Sequence, residues 1–451
     1  MRAVLAGAAL LAVLLTVYLP DIGHGFIRDD FRWIREGRSE SLAQALELFT
    51  TNVGFYRPLV ALSFAADYAV WGLEPFGYGL TNLALLIASS VALFALARRL
   101  GLPTAAALIA GGLLVLNFHG VNMALLWLSG RTSLLALVFA LLAANATLRG
   151  HGIAAGLLCL SALLSKEEVL ALPAVLTVFV WRTGGNPLRT WPLWVSLVVY
   201  AALRSTSGAF TPSTAPDYYR LSLAPVLLLR NVAEYADRAG TLSAAVSVVM
   251  LLLVPPTAAR GGAGGEPRDR WFSDAEREVL FFAALWIPAM YALTLFLPVR
   301  SSLYALVPSA GSALIAGACA SRALRSSPVR FRRAAVALLV TAAALIPVYR
   351  SRNDRWVAPA DLSRHVMESI QATTTSFPAG GRVVLVDAPE AEVGLDEAFD
   401  QLFPDALALY AGDTWIGEVV QPGAPLPSDA QTTIAYELRD GTLEPLGVTR
   451  R

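Results

Sequence analysis

Lysine is almost missing from this 451-residue chain. Of its 35 basic residues only Lys166 is a lysine, a bias that fits a GC-rich genome. Charged residues of both signs make up 15% of the chain, against about 25% in soluble domains. That shortage excludes an ordinary cytosolic enzyme. Cysteine is scarce as well. Cys159 and Cys319 each sit inside a long apolar run, which excludes a disulfide framework and a cysteine metal site. The net charge is +1, so no bulk field of one sign draws the chain to nucleic acid. What the sequence has in excess is apolar. Hydrophobic residues reach 56% and the mean hydropathy is +0.56, which excludes intrinsic disorder.

A membrane-spanning helix needs about 20 mostly apolar residues. Runs of this kind occur at 3–19, 78–97, 102–118, 131–148, 152–165, 168–182, 190–204, 241–256, 278–297, 302–320 and 334–349. They predict an all-α polytopic membrane protein of about eleven spans. The first run is followed by Val17-Tyr18-Leu19-Pro20-Asp21 rather than a small-x-small cleavage site, so it reads as an uncleaved span. Segment 58–72 is short and carries Asp67, which suits an interfacial or re-entrant helix. Segment 222–238 holds Arg230, Glu234, Asp237 and Arg238 and reads as a second interfacial stretch, with Glu234 and Asp237 on a solvated face. Arg98-Arg99 and the acid-free 321–333 loop fall on one side of an eleven-span chain, with Arg2, Arg149, Arg182 and Arg189. The positive-inside rule then makes the N-terminus cytoplasmic and the tail after residue 350 extracytoplasmic.

This divides the chain into a transmembrane part, 1–350, with a first outer loop at 20–77, and a small α/β lobe, 351–451. In the lobe, 359–373 and 394–411 read as helices, 382–387 as a buried strand, and 432–446 as a hairpin turning at Asp440-Gly441. The Gly/Pro-rich stretch 255–270 reads as a flexible cytoplasmic connection. There is no tandem repeat.

Ionisable residues are costly at membrane depth, about 2.5–3.5 kcal/mol each at a helix centre, so their placement carries information. On this topology Asp29, Asp30, Tyr56, Arg57, His119, Arg131, Lys166, Glu167, Arg300 and Tyr304 all fall at the outer face. A solute transporter more often places its site at the midplane, across repeated halves. A cluster at one face suits sugar transfer from a lipid-linked donor. Arg or Lys would hold the donor phosphate and stabilise its charge as it leaves. A carboxylate would take the proton from an attacking hydroxyl. Asp29 and Asp30, being adjacent, point in different directions, so one can act as base while the other supports it or holds a metal.

Several short motifs recur in order: Phe26-x-x-Asp29-Asp30; Tyr56-Arg57-Pro58-Leu59; Gly72-Leu73-x-Pro75-x-Gly77-Tyr78; Trp127-x-Ser129-Gly130-Arg131; Leu163-Leu164-Ser165-Lys166-Glu167; and Arg300-x-x-x-Tyr304. Over roughly residues 1–320 this order resembles the GT-C membrane glycosyltransferases. The nearest branch is that of the tetratricopeptide-containing O-mannosyltransferase-like proteins and their bacterial relatives. The resemblance implies a polyprenyl-phosphate-sugar donor, inverting transfer to a protein or glycan hydroxyl, and an extracytoplasmic site in a bacterial inner membrane. It implies catalysis by the acid pair of the first outer loop. The chain departs from the pattern at Ala124 and Ser133, where related sequences carry acids, and no repeats follow the bundle.

The expectations are therefore specific. Asp29 is the general base, and Asp30 supports it or is the ligand of a divalent metal, if one is used. Arg300, Lys166 and Arg131 hold the donor phosphate. Glu167, Tyr56, Arg57, His119 and Tyr304 support the site. Two readings from other classes are a lipid or solute transporter and a non-catalytic scaffold.

Overall fold

The structure, a computed structural model, describes residues 2–38, 41–51, 53–211, 214–254, 271–375, 380–387, 393–425, 432–439 and 442–450. In chain order the helices are α1 (Arg2–Tyr18), α2 (Asp29–Gly37), α3 (Leu42–Thr51), α4 (Pro58–Trp71), α5 (Pro75–Arg99), α6 (Thr104–Leu116), α7 (Phe118–Leu126), α8 (Arg131–Leu148), α9 (Gly152–Leu163), α10 (Leu172–Arg182), α11 (Trp191–Ser205), α12 (Pro225–Leu252), α13 (Asp274–Tyr291), α14 (Leu306–Ser326), α15 (Pro328–Ala344), α16 (Ile346–Thr374), α17 (Leu395–Phe399) and α18 (Phe403–Ala411). The strands are β1 (Val53–Gly54), β2 (Gly208–Ala209), β3 (Gly381–Val386), β4 (Trp415–Val420), β5 (Thr432–Arg439) and β6 (Thr442–Arg450).

Many helix starts are written as proline. Pro58, Pro75, Pro173, Pro192, Pro225 and Pro328 stand in first turns, where a missing N–H costs nothing. Helix α13 instead opens on a capping box between Ser273 and Glu276. Helix α14 is the hub and is buried almost throughout, against α6, α12 and α13. Its run of Ala, Gly and Ser lets neighbouring backbones come close. A Cβ on Gly311 would lie 2.6 Å from Ile287 of α13.

The apolar runs are largely helical, but 102–118 is divided between α6 and α7, 334–349 between α15 and α16, and 278–297 runs past the end of α13 at Tyr291. Among the described residues, three helical stretches are long and apolar enough to cross a membrane: Pro75–Arg99, Leu128–Leu148 and Ser302–Ser326. The number rises to five if two bent pairs each count once, α6 with α7 (57°) and α15 with α16 (43°). Several details differ from the sequence reading. Residues 225–238 of the stretch 222–238 form the first half of α12, which is continuous for 28 residues. The i,i+4 pairs Arg230–Glu234 and Glu234–Arg238 support the helix where a break was expected. The helix expected at 359–373 is the far end of α16, which runs unbroken through residue 350. The expected helix 394–411 splits into α17 and α18 at Asp400, whose φ of 50° ends the first turn. Strand β4 was not foreseen. The connection 255–270 and the Asp440-Gly441 turn lie outside the described residues.

The lobe carries a four-stranded sheet, ordered β4-β3-β5-β6, parallel except for the β5–β6 hairpin. Its core is not its own. Phe399, Phe403, Leu407 and Val383 share one apolar cluster with Phe26, Phe31, Trp33 and Ile34, which lie between α1 and α4. Contact is close enough that a Cβ on Gly25 would lie 2.1 Å from the Ala360 carbonyl oxygen on α16. The lobe therefore packs directly on the segment that carries the acid pair.

Candidate active site

Helix α2 is nine residues long and sits between two supports. On one side Phe31 stacks on Phe399, with ring centres 5.6 Å apart, and the Arg28 N–H donates to the Ala398 carbonyl at 2.9 Å. On the other side Asp30 is completely buried. Its Oδ2 accepts from the Ile27 N–H at 3.1 Å, and its Oδ1 accepts from the Ser129 N–H at 2.7 Å and from the Ser129 hydroxyl. These bonds tie α2 to the turn that starts α8. Burial pushes the Asp30 carboxyl up to about 7, further than the Ser129 and Ile27 bonds pull it down. Asp29 faces the other way and, among the described residues, has no hydrogen-bond or ion-pair partner. Burial raises its proton affinity too, against the lowering influence of Arg32 and Arg57.

Asp29 looks into a cavity of about 270 Å³. Helix spacing assembles one wall, because Asp29, Arg32, Trp33 and Glu36 all stand on the same face of α2. The opposite wall is aromatic. Strands β1 and β2 pair in parallel and bring Phe55 within 5.5 Å of Phe210 and 4.9 Å of Tyr219. Lys166, Arg57, Arg300, Tyr304, Ser129 and Thr132 complete the lining. Two carboxylates, Asp29 and Glu36, thus share a space of small-molecule size with Arg32 and with the cations Arg57, Lys166 and Arg300 of the other elements.

Each cation is held differently. Lys166 is 3% exposed, donates to Ser133 Oγ at 2.6 Å, lies 3.0 Å from Glu168 and sits 5.0 Å from the Tyr304 ring centre. Ser133 is thus a direct partner of the lysine. Burial lowers the Lys166 ammonium, with Glu168 opposing. Arg57 forms a two-pronged pair with Glu167, at 2.7 and 3.2 Å, and stacks over Phe55 at 4.3 Å. Burial alone would raise the Glu167 carboxyl, but Arg57 overrides it and holds it down to about 2. Arg300 pairs with Glu234.

The sequence-predicted residues therefore divide. Asp29, Arg57, Lys166, Arg300 and Tyr304 line one cavity. Arg131, expected at the donor phosphate, does not. Its guanidinium is fully buried behind the wall, bonded to Asn82 Oδ1 (2.8 Å), the Ser63 carbonyl (3.2 Å), the Tyr78 carbonyl (3.0 Å) and Asp67 (2.5 Å). With its donors taken it fastens α4, α5 and α8 together. Tyr56 is buried with its hydroxyl donated to the Phe49 carbonyl at 2.8 Å. Glu167 stands behind Arg57, and His119 lies on α7 beside Phe118, outside the lining. Asp30, the residue expected to hold any metal, has both oxygens engaged. Among the described residues no three His, Cys, Asp or Glu side chains form a group that could hold a metal ion. The donor set does not fit a metal, and no step below uses one.

Sequence reasoning missed Arg32, Trp33, Glu36 and the aromatic wall. The α2 stripe had a local signal, since 29, 32, 33 and 36 follow helix periodicity. The wall had none, because β1 and β2 are more than 150 residues apart.

With this geometry in view, two comparisons are informative. ArnT from Cupriavidus metallidurans superposes on 96% of this chain and 92% of its own, with a TM-score of 0.53 and 14% identity, in the crystal structure bound to undecaprenyl phosphate. Its apo structure gives 0.54, 16%, and 97% and 93%. The chain shares the fold of ArnT. In sequence, it is similar to the protein O-mannosyl-transferase Tmtc1 of Drosophila melanogaster, 33% identical over 185 residues. That match takes in 37% of this chain, which spans about a fifth (21%) of the length of that curated relative. No family model matches the chain.

Proposed function

We propose that the protein is a membrane glycosyltransferase that moves a sugar from a polyprenyl-phosphate donor to an extracytoplasmic acceptor hydroxyl, with inversion. The observation that carries this reading is the single cavity with the unpartnered Asp29 carboxylate on one wall and Lys166 and Arg300 on the others. The GT-C fold supports it, as does the name of the relative Tmtc1. ArnT was crystallised with undecaprenyl phosphate, which makes a lipid of that class the donor carrier to test first.

The donor phosphate binds at Arg300 and Lys166. Asp29 accepts the acceptor's hydroxyl proton while that oxygen bonds to the anomeric carbon from the face opposite the phosphate. The anomeric C–O bond breaks, its electron pair stays on the phosphate, and the two cations stabilise the charge that develops. Asp30 positions Asp29 through Ser129, and Glu167 positions Arg57. The site and the lobe lie on the extracytoplasmic side of a bacterial inner membrane, with the N-terminus in the cytoplasm.

The test is transfer by the purified full chain in nanodiscs, supplied with polyprenyl-phosphate sugars and scored by release of polyprenyl phosphate. Asp29→Asn should lower turnover by 10²-fold or more, within the range of general-base contributions, at unchanged thermal stability. Near-normal turnover in that variant would remove Asp29 from the mechanism. Movement of lipid or solute without a new glycosidic bond would favour a transporter instead.

A further inference from the structure

Arg300 borders two hollows. One is the reaction cavity. The other is an open cleft of about 360 Å³ lined by Arg230, Glu234, Arg238, Pro298 and Arg300. Residues 230, 234 and 238 lie one helical turn apart on α12, so one face of that helix presents all three to the 298–300 loop. The three arginines converge on one carboxylate. Glu234 Oε1 accepts from Arg230 Nε at 3.0 Å and from Arg300 Nη1, and Oε2 accepts from Arg238 Nη2 at 3.1 Å. The cluster keeps a surplus of two positive charges.

A carboxylate in a cage of guanidiniums offers the same chemistry as a phosphate monoester: anionic oxygens accepting charge-assisted hydrogen bonds. Resting on the donor-phosphate reading of Arg300 above, we propose that Glu234 is an internal counter-ion competing with the donor phosphate for Arg300, and that Arg230 and Arg238 form the access cleft where the two anions trade places. The exchange is balanced. When Arg300 turns to a phosphate, Glu234 keeps Arg230 and Arg238, so no bare carboxylate is left behind. The same two arginines draw an anionic headgroup to the rim of the reaction cavity. The ligand class is a phosphate monoester or diester, free or carried by a lipid.

The experiment measures dissociation constants for polyprenyl phosphate with the full chain in nanodiscs of zwitterionic lipid, with inorganic phosphate as competitor. Glu234→Gln keeps the side chain's size and frees Arg300, so it should bind polyprenyl phosphate about two- to fivefold more tightly, the scale of an exposed ion pair. The double variant R230A/R238A leaves Glu234 with Arg300 alone and should bind several-fold more weakly. Competition by inorganic phosphate assigns recognition to the phosphate itself. Tight binding that inorganic phosphate leaves unchanged assigns it to the lipid-borne headgroup. Weakened or unchanged binding in Glu234→Gln overturns the counter-ion role. Arg300→Ala separates the two levels: if it binds as well as the parent chain, the donor-phosphate reading itself falls. If Arg300→Ala binds poorly while Glu234→Gln gains nothing, only the counter-ion inference falls.

Discussion

Two neighbouring aspartates have opposite surroundings, since Asp29 lines the cavity and Asp30 is bonded into the protein. Asp30 has a folded-state proton affinity near 7 against an unfolded value of about 3.9. Between those values the folded protein holds a proton that the unfolded chain has released. This group's contribution is therefore complete below about pH 4 and disappears as pH rises through 7. Asp30→Asn keeps an acceptor for the Ser129 N–H and should flatten the melting temperature against pH over that window, measured by thermal unfolding in detergent. Turnover carries its own pH signature. Asp29 must be ionised to accept a proton, and burial raises its affinity, so activity should fall on acidification earlier than an ordinary carboxylate predicts. Lys166 must be charged to hold phosphate, and burial lowers its affinity, so the alkaline limb should come earlier than for an ordinary lysine. A kcat/KM profile across pH checks both limbs.

Among the elements, α2 depends on what grips it. Phe399 is fully buried between Phe31 and Phe403. Phe399→Ala should cost about 3–5 kcal/mol, as large-to-small core changes do, and should lower transfer by loosening the helix that bears Asp29. Arg35 makes two 3.0 Å pairs with Asp405 and Asp413 on the same lobe, but its side chain is 47% exposed. Arg35→Ala should therefore cost no more than about 1 kcal/mol. Thermal unfolding of the two variants side by side distinguishes an apolar clamp from an ionic one. The same helix shows what a sequence discloses. The acid pair, the apolar runs, the β3 strand and the lone lysine each carry a signal within a few residues, and they were legible. The Phe399 stack, the pairing of β1 with β2 and the enclosure of Arg131 join segments tens to hundreds of residues apart. No local pattern encodes such meetings. Arg131 shows the cost: an arginine after Ser-Gly has the same local appearance whether it faces a phosphate or binds four protein groups.

At the scale of the whole molecule, bundle and lobe are joined by more than a tether. Helix α16 belongs to both, and the lobe's apolar cluster contains Phe26, Phe31, Trp33 and Ile34 from the segment between α1 and α4. A chain ended after residue 374 should still enter the membrane, because the bundle helices are intact. It should also lose transfer and aggregate, because Phe31, Trp33 and Ile34 lose their cover. Membrane fractionation followed by size-exclusion chromatography and a transfer assay checks all three outcomes. Normal transfer by that truncated chain would show that α2 holds its place without the lobe.

The scarcity of lysine gives the protein an unusual chemical address. Lys166 is the sole side-chain amine in the sequence, and it lines the candidate cavity with its ammonium pulled toward the neutral, nucleophilic form. Amine-directed acylating reagents small enough to enter will therefore mark the interior of the site and no other side chain. The modified Lys166 peptide, distinct from the one that bears the N-terminal amine, becomes a readout of what occupies the cavity.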